Sequence, residues 1–316
     1  MFGIEGTNVK KQLNISWGPV KDSTGYLFSF AKSLCAAVKN SPYSEKAEDI
    51  VATSGFAFRM WVNADLCPSA TSIWDFEMQK PWVESGGILC DYTGRYWGQD
   101  FIEEERRLQA LEIIKSSIDR GIPAVSWNVG VPEWGLITGY DDEAKILATL
   151  PVTSSQYGQM AYEALGKGEL PILSVLTVKG ASDKSEEAIL KDTLKIAVCH
   201  LTGKEWCENA KGLYAYPVLI KIFSEKPDHA ASWNGEYYLG TYAALKEYAY
   251  WYFEKTGLAK LADIYKAVFY AWTEAFRLKT GENAALPEIR EKIASLLSSA
   301  YENEQKAVEI MESLLA

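Results

Sequence analysis

Residues 102–120, IEEERRLQALEIIKSSIDR, constrain the fold more than any other stretch of this chain. Acids fill the first turn and a basic residue ends the run. Leu108, Leu111, Ile114 and Ile118 recur at helical spacing until Gly121 stops it. The period then changes at once. Residues 122–128, 134–140 and 145–150 are short apolar runs, and Asp141, Asp142 and Glu143 between the last two read as a hairpin turn. A helix followed by strands on short turns implies a layer of helix packed on sheet.

Upstream, residues 24–38 place Leu27, Phe30, Leu34 and Ala37 at helical spacing. Asp22, Ser23 and Thr24 are N-cap candidates, so the pattern predicts a helix starting near residue 24. Residues 55–62 alternate Phe56, Phe58, Met60 and Val62 against Ala57, Arg59 and Trp61, which predicts a strand or extended wall. Another strand falls at 173–178. Beyond about residue 180 the pattern is helical, over 185–201, 235–255, 258–277 and 287–315. The last helix carries a stripe of Ile289, Ile293, Leu296, Ala300, Ala307, Ile310 and Leu314, with Asn303 as its polar member. That stripe packs against neighbouring helices or, alternatively, pairs with a second copy as a homodimer. The predicted class is α+β, with an α/β domain over residues 1–180 and a mainly helical domain over 181–316.

Charge narrows the partners. With 32 Lys and Arg against 42 Asp and Glu, the net charge is −10, which gives no support to a phosphate backbone. No apolar run approaches the roughly 18 residues that cross a bilayer, and the first twenty residues lack an apolar leader. A cytoplasmic protein without nucleic-acid or membrane partners is expected. The five cysteines, Cys35, Cys67, Cys90, Cys199 and Cys207, contain no C-x-x-C pair, and neither nucleotide-loop nor zincin motifs occur, so no metal and no cofactor are expected.

The order helix, strand ending at Trp127, short loop and then EWGLITGYDDEAKILAT resembles the second half of a papain-like core. It is most similar to the double-glycine leader peptidase branch of the papain-like cysteine peptidase superfamily and to the N-terminal domain of butirosin biosynthesis protein H. The matching residues are Gly121, Ile122 and Pro123 at the first strand and Gly139, Tyr140 and Asp141 at the end of the second. The resemblance covers roughly residues 15–150 and is specific around 119–143. It implies a nucleophilic cysteine at the start of the N-terminal helix and a histidine six residues before Gly139. This chain departs from both. The helix start offers Ser23, Thr24 and Gly25, the histidine position is Glu133 followed by Trp134, and the orienting acid is replaced by residues 147–150, LATL.

Those replacements change the chemistry. An imidazole takes a thiol proton near neutral pH, whereas a carboxylate at about 4.3 is a poor base for a hydroxyl unless burial raises it. The resemblance therefore implies a catalytically degenerate protein that binds a small molecule or peptide in a cleft between its two domains. The alternative is an acyltransferase or amide hydrolase related to the butirosin protein.

Candidate ligand-binding residues are Trp17, Arg59, Trp61, Trp127 and Trp134. Arg59 interrupts an apolar run. It is either a bidentate anchor for a carboxylate or phosphate, or a structural residue paired with Asp65. Cys35 reads as a core thiol. Cys67 and Cys90 would need His229 to become reactive, and Cys199, His200 and Cys207 read as the core and end of a helix. His229 reads as a loop histidine bonded to local backbone. Residues 235–253 hold eight aromatics, more than one helix face accommodates, so some are expected to meet the α/β domain.

Overall fold

The computed structural model describes residues 10–72 and 74–316. In chain order it begins β1 (Lys10–Gln12), α1 (Ser29–Lys39), α2 (Ile50–Thr53), β2 (Trp61–Val62), α3 (Ser69–Ser72), α4 (Gln79–Ser85), β3 (Ile88–Arg95) and α5 (Glu103–Asp119). The middle holds β4 (Ala124–Ser126), β5 (Gly135–Asp141), β6 (Ile146–Leu150), β7 (Gly158–Ala161) and β8 (Leu173–Ala181). The rest comprises α6 (Glu186–Leu201), β9 (Ala210–Lys211), α7 (Ala215–Glu225), α8 (Pro227–Ala231), α9 (Trp233–Thr256), α10 (Ala259–Gly281) and α11 (Pro287–Leu315). With its helices and mostly antiparallel sheet, the protein is of the α+β class. No helix among the described residues is long and apolar enough to cross a membrane.

The chain divides into two compact units. The first comprises the described residues up to Val20, Lys32–Ala47 and Ile88–Ala181; the second comprises Lys21–Ala31, Glu48–Gly87 and Ser182–Ala316. Where the sequence pattern suggests one boundary at 180, the helical unit reaches back for two earlier segments. The aromatics of α9 supply the reason. The Tyr248 hydroxyl donates to the Lys21 carbonyl at 2.7 Å, that of Tyr238 donates to the Cys67 carbonyl at 2.7 Å, and that of Tyr242 accepts from Trp61 N–H at 2.8 Å. These rings, expected to meet the α/β domain, bind segments of their own unit.

The first unit is a seven-stranded sheet ordered β3-β8-β4-β5-β6-β7, with β1 pairing β5. Ala110, Leu111, Ile114 and Ile118 of α5 pack on Ala124, Ile137, Tyr140, Leu147 and Val175 of the strands. Ala110 takes the place expected for Leu108, which is 54% exposed because the buried stripe is rotated past it. Gly121 ends α5 at φ +85°, a conformation that glycine adopts without a Cβ clash. Gly139 has another task. A Cβ there would stand 2.5 Å from the Lys11 carbonyl oxygen, so only glycine admits β1. The Tyr140 hydroxyl donates to Asp119 at 2.8 Å, and Asp141 accepts the N–H groups of Glu143 and Ala144 in the turn. The Gly139-Tyr140-Asp141 run thus carries scaffold duties.

The second unit packs α10 against α9 and α11, and α11 against α7. Its helical seam contains a buried ion pair. Glu304 of α11, not Asn303, is the charged member of the seam, and it meets Lys246 of α9 at 2.7 Å with both side chains fully buried. Tyr216 donates to the other Glu304 oxygen at 2.9 Å, and Trp272 N–H donates to Tyr216 at 2.9 Å. A small antiparallel ribbon pairs Trp61 with Lys211 and Val62 with Ala210.

Two local expectations fail for visible reasons. The helix near residue 24 begins at Ser29, because Gly25 sits at φ +79° and Asp22 and Thr24 cap a turn by accepting from the N–H groups of Leu27 and Tyr26. The predicted strand at 55–62 is a tight helical turn over Phe56–Phe58, with strand only at Trp61–Val62. Every residue from Ile50 to Val62 is buried, so the alternation marked no exposed face.

Candidate functional site

The hydroxyls at the degenerate positions are held by the helical unit. Ser23 donates to Glu247 at 2.7 Å, and Thr24 donates to the Gly240 carbonyl at 2.9 Å while accepting from Tyr26 N–H at 3.1 Å. Burial raises the Glu247 carboxyl above its usual range, against the lowering effect of Ser23. Glu133 belongs to the first unit, in the loop from β4 to β5. Its N–H donates to the Val131 carbonyl at 2.7 Å, and its carbonyl accepts from Val129 N–H at 3.2 Å. Trp134, fully buried, lies with Trp127 at a ring separation of 5.4 Å, and Trp17 N–H donates to the carbonyls of Pro151 and Ser154, both at 3.0 Å. These three indoles are core and loop supports.

Arg59 and Trp61 come together, but inside the helical unit. Arg59 is 4% exposed, its Nε lies 3.2 Å from Glu205, and its Nη1 donates to the Thr71 carbonyl at 3.0 Å. The guanidinium stacks 3.6 Å from the centre of the Trp61 ring. The Trp61 indole N–H and His200 Nδ1 meet the other Glu205 oxygen at 2.8 and 3.0 Å. Burial acts to raise the Glu205 carboxyl, yet the charges of Arg59 and His200 and the bonds from His200 and Trp61 hold it at about 2. The partner of Arg59 is therefore Glu205 rather than Asp65. Glu205 was missed in the sequence, although an arginine inside an apolar run signals that a buried acid must exist somewhere.

The cysteines and histidines do not converge. His200 is 1% exposed, with Trp82 edge-on to its ring at 4.8 Å. His229 lies in α8 rather than a loop, and its Nε2 faces Asp65 at 3.8 Å while its own carbonyl accepts from Ser232. Cys67 is exposed and contacts the Ser69 hydroxyl at 2.9 Å; Cys35 and Cys90 are buried. Burial pushes the Cys199 thiol up and that of Cys207 to about 11, and Cys207 accepts from Asn209 N–H at 3.2 Å. Among the described residues no group of three or more His, Cys, Asp or Glu could hold a metal ion.

The first unit offers a concave surface that the sequence reading did not anticipate. An open depression of about 720 Å³ is walled by Arg107, Leu108, Leu111, Glu112 and Lys115 of α5 on one side and by Ala144, Lys145, Ala161, Tyr162 and Glu163 on the other. Lys115 pairs with Asp142, which also accepts the Tyr162 hydroxyl at 3.0 Å. Burial acts to raise the Asp142 carboxyl, but these two hydrogen bonds bring it below its usual value. Burial and Asp142 together raise the Tyr162 hydroxyl. No signal in the sequence marked it, since Leu108 reads there as part of the stripe and only the structure shows it exposed. The chain matches no family model, and no curated protein matches it.

Proposed function

We propose that the chain is a catalytically degenerate papain-like protein that binds a small molecule or a peptide. The positions of its two histidines support this most. Thiol or hydroxyl catalysis of that kind needs an imidazole within hydrogen-bond reach of the nucleophile. Here His200 is sealed on Glu205 and His229 faces Asp65. Thr24 donates its proton to backbone and Ser23 donates to a carboxylate, Glu247, so neither hydroxyl is paired with an imidazole. The depression beside α5 falls within the roughly 300–1,000 Å³ of small-molecule sites and has the mixed lining such sites use.

The test is labelling with iodoacetamide and with a fluorophosphonate, read by mass spectrometry. Thiol alkylation is expected to follow exposure, with Cys67 first, and to be unchanged in His229→Ala; no hydroxyl should be labelled. Rapid labelling of one cysteine or serine that either histidine substitution abolishes would overturn this reading and favour the acyltransferase.

A further inference from the structure

The depression beside α5 combines an apolar floor with charged residues, some of which form no ion pair. Its floor is apolar, made by Leu111 and the Tyr162 ring, 6% and 7% exposed, and by the protruding Leu108. Five charged residues stand around it. Two are neutralised from within the unit, Arg107 by Glu103 at 3.0 Å and Lys115 by Asp142. The side chains of the other three, Glu112 on α5 and Lys145 and Glu163 on the facing wall, form neither an ion pair nor a hydrogen bond, although the Lys145 charge also acts on Asp142, helping to lower its carboxyl. Lys145 stands 6.0 Å from the centre of the Tyr162 ring.

We propose that this depression binds a short zwitterionic peptide carrying an aliphatic side chain. The inference rests on the ligand-binding reading above and names the ligand's chemistry. The aliphatic group covers Leu108, Leu111 and the Tyr162 ring, which removes apolar surface from water. The peptide carboxylate meets Lys145, and its ammonium meets Glu112 or Glu163. Charge complementarity selects this occupant over the simpler ones. A purely anionic ligand would approach two unpaired carboxylates, and a purely cationic one would approach Lys145 beside Lys115. A neutral apolar ligand would partly desolvate three charges and pair none of them.

The experiment is a titration of isotope-labelled protein with trileucine, followed by amide shifts, in four forms: free, N-acetylated, C-amidated and doubly blocked. Shifts are expected to concentrate in residues 107–115, 144–145 and 161–163. Each block should weaken binding about two- to fivefold, the scale of exposed ion pairs. In Lys145→Gln the free acid and the amide should bind equally. The proposal is overturned by equal affinity of all four forms for the native protein, by shifts confined elsewhere, or by no binding. No trileucine binding together with a different ligand found by a thermal-shift screen to bind outside the depression would overturn it while leaving the ligand-binding reading intact. Histidine-dependent electrophile labelling would instead overturn that broader reading.

Discussion

Two places in the molecule, one in each unit, treat their charged residues in opposite ways. In the helical unit Arg59, Glu205, Lys246 and Glu304 are all buried and each is paired with another charge. Beside α5 in the sheet unit, Glu112, Lys145 and Glu163 line an open surface and form no ion pair at contact distance. The difference teaches that a charge which interrupts an apolar run is not thereby a ligand anchor. Such a charge requires an internal partner, and the groups available to a ligand are those whose surroundings have not already used them.

The largest expected effect comes from breaking the fully buried pair. Glu304→Ala leaves the Lys246 ammonium without its carboxylate and should cost about 3–5 kcal/mol in urea unfolding, whereas Lys246→Met with Glu304→Met should recover most of that loss. A double variant as unstable as the single would show that shape, not charge, sets the cost.

Acid sharpens the comparison next. Glu205 titrates at about 2 in the folded protein against 4.5 for an ordinary glutamate, so it binds its proton more readily when unfolded. Its contribution, about 3 kcal/mol, is complete above pH 4.5 and is lost as pH falls toward 2. Glu205→Gln should therefore flatten that limb of the stability profile measured by urea unfolding. An unchanged limb would assign acid sensitivity to other carboxylates.

The sheet unit carries the smaller predictions. Gly139→Ala puts a Cβ 2.5 Å from the Lys11 carbonyl and should cost about 1–3 kcal/mol by displacing β1, visible as faster amide exchange at Lys11 and Gln12. Unchanged exchange would show that β1 shifts without losing its pairing. Leu108→Ser, at the exposed wall of the depression, should change stability by less than about 0.5 kcal/mol. A larger loss would mean that Leu108 is part of the core after all.

Much of the fold was legible because its elements carry local signals. The acids and Gly121 bracket α5, and Asp141 to Glu143 mark the β5–β6 turn. Pro287 opens α11, and Ser185 caps α6 through the Ala188 N–H. The interleaving of the units was not legible, since it depends on tyrosine hydroxyls of α9 meeting backbone at Lys21, Trp61 and Cys67, contacts between residues more than 170 apart in sequence. Periodicity also misread residues 55–62, where complete burial removes the polar face that alternation is meant to reveal. The candidate site was the least legible part. Arg59 and Trp61 drew attention by residue type, and only Glu205, 146 residues from Arg59, shows that they serve the interior.

The most direct test is the stability of Arg59→Met by equilibrium urea unfolding. With Arg59 replaced, Glu205 keeps a buried negative charge without its guanidinium, and a loss of about 3–5 kcal/mol is predicted. A variant as stable as the native protein, or more stable, would contradict the account, because that is the behaviour of a residue kept for a ligand at the expense of the fold.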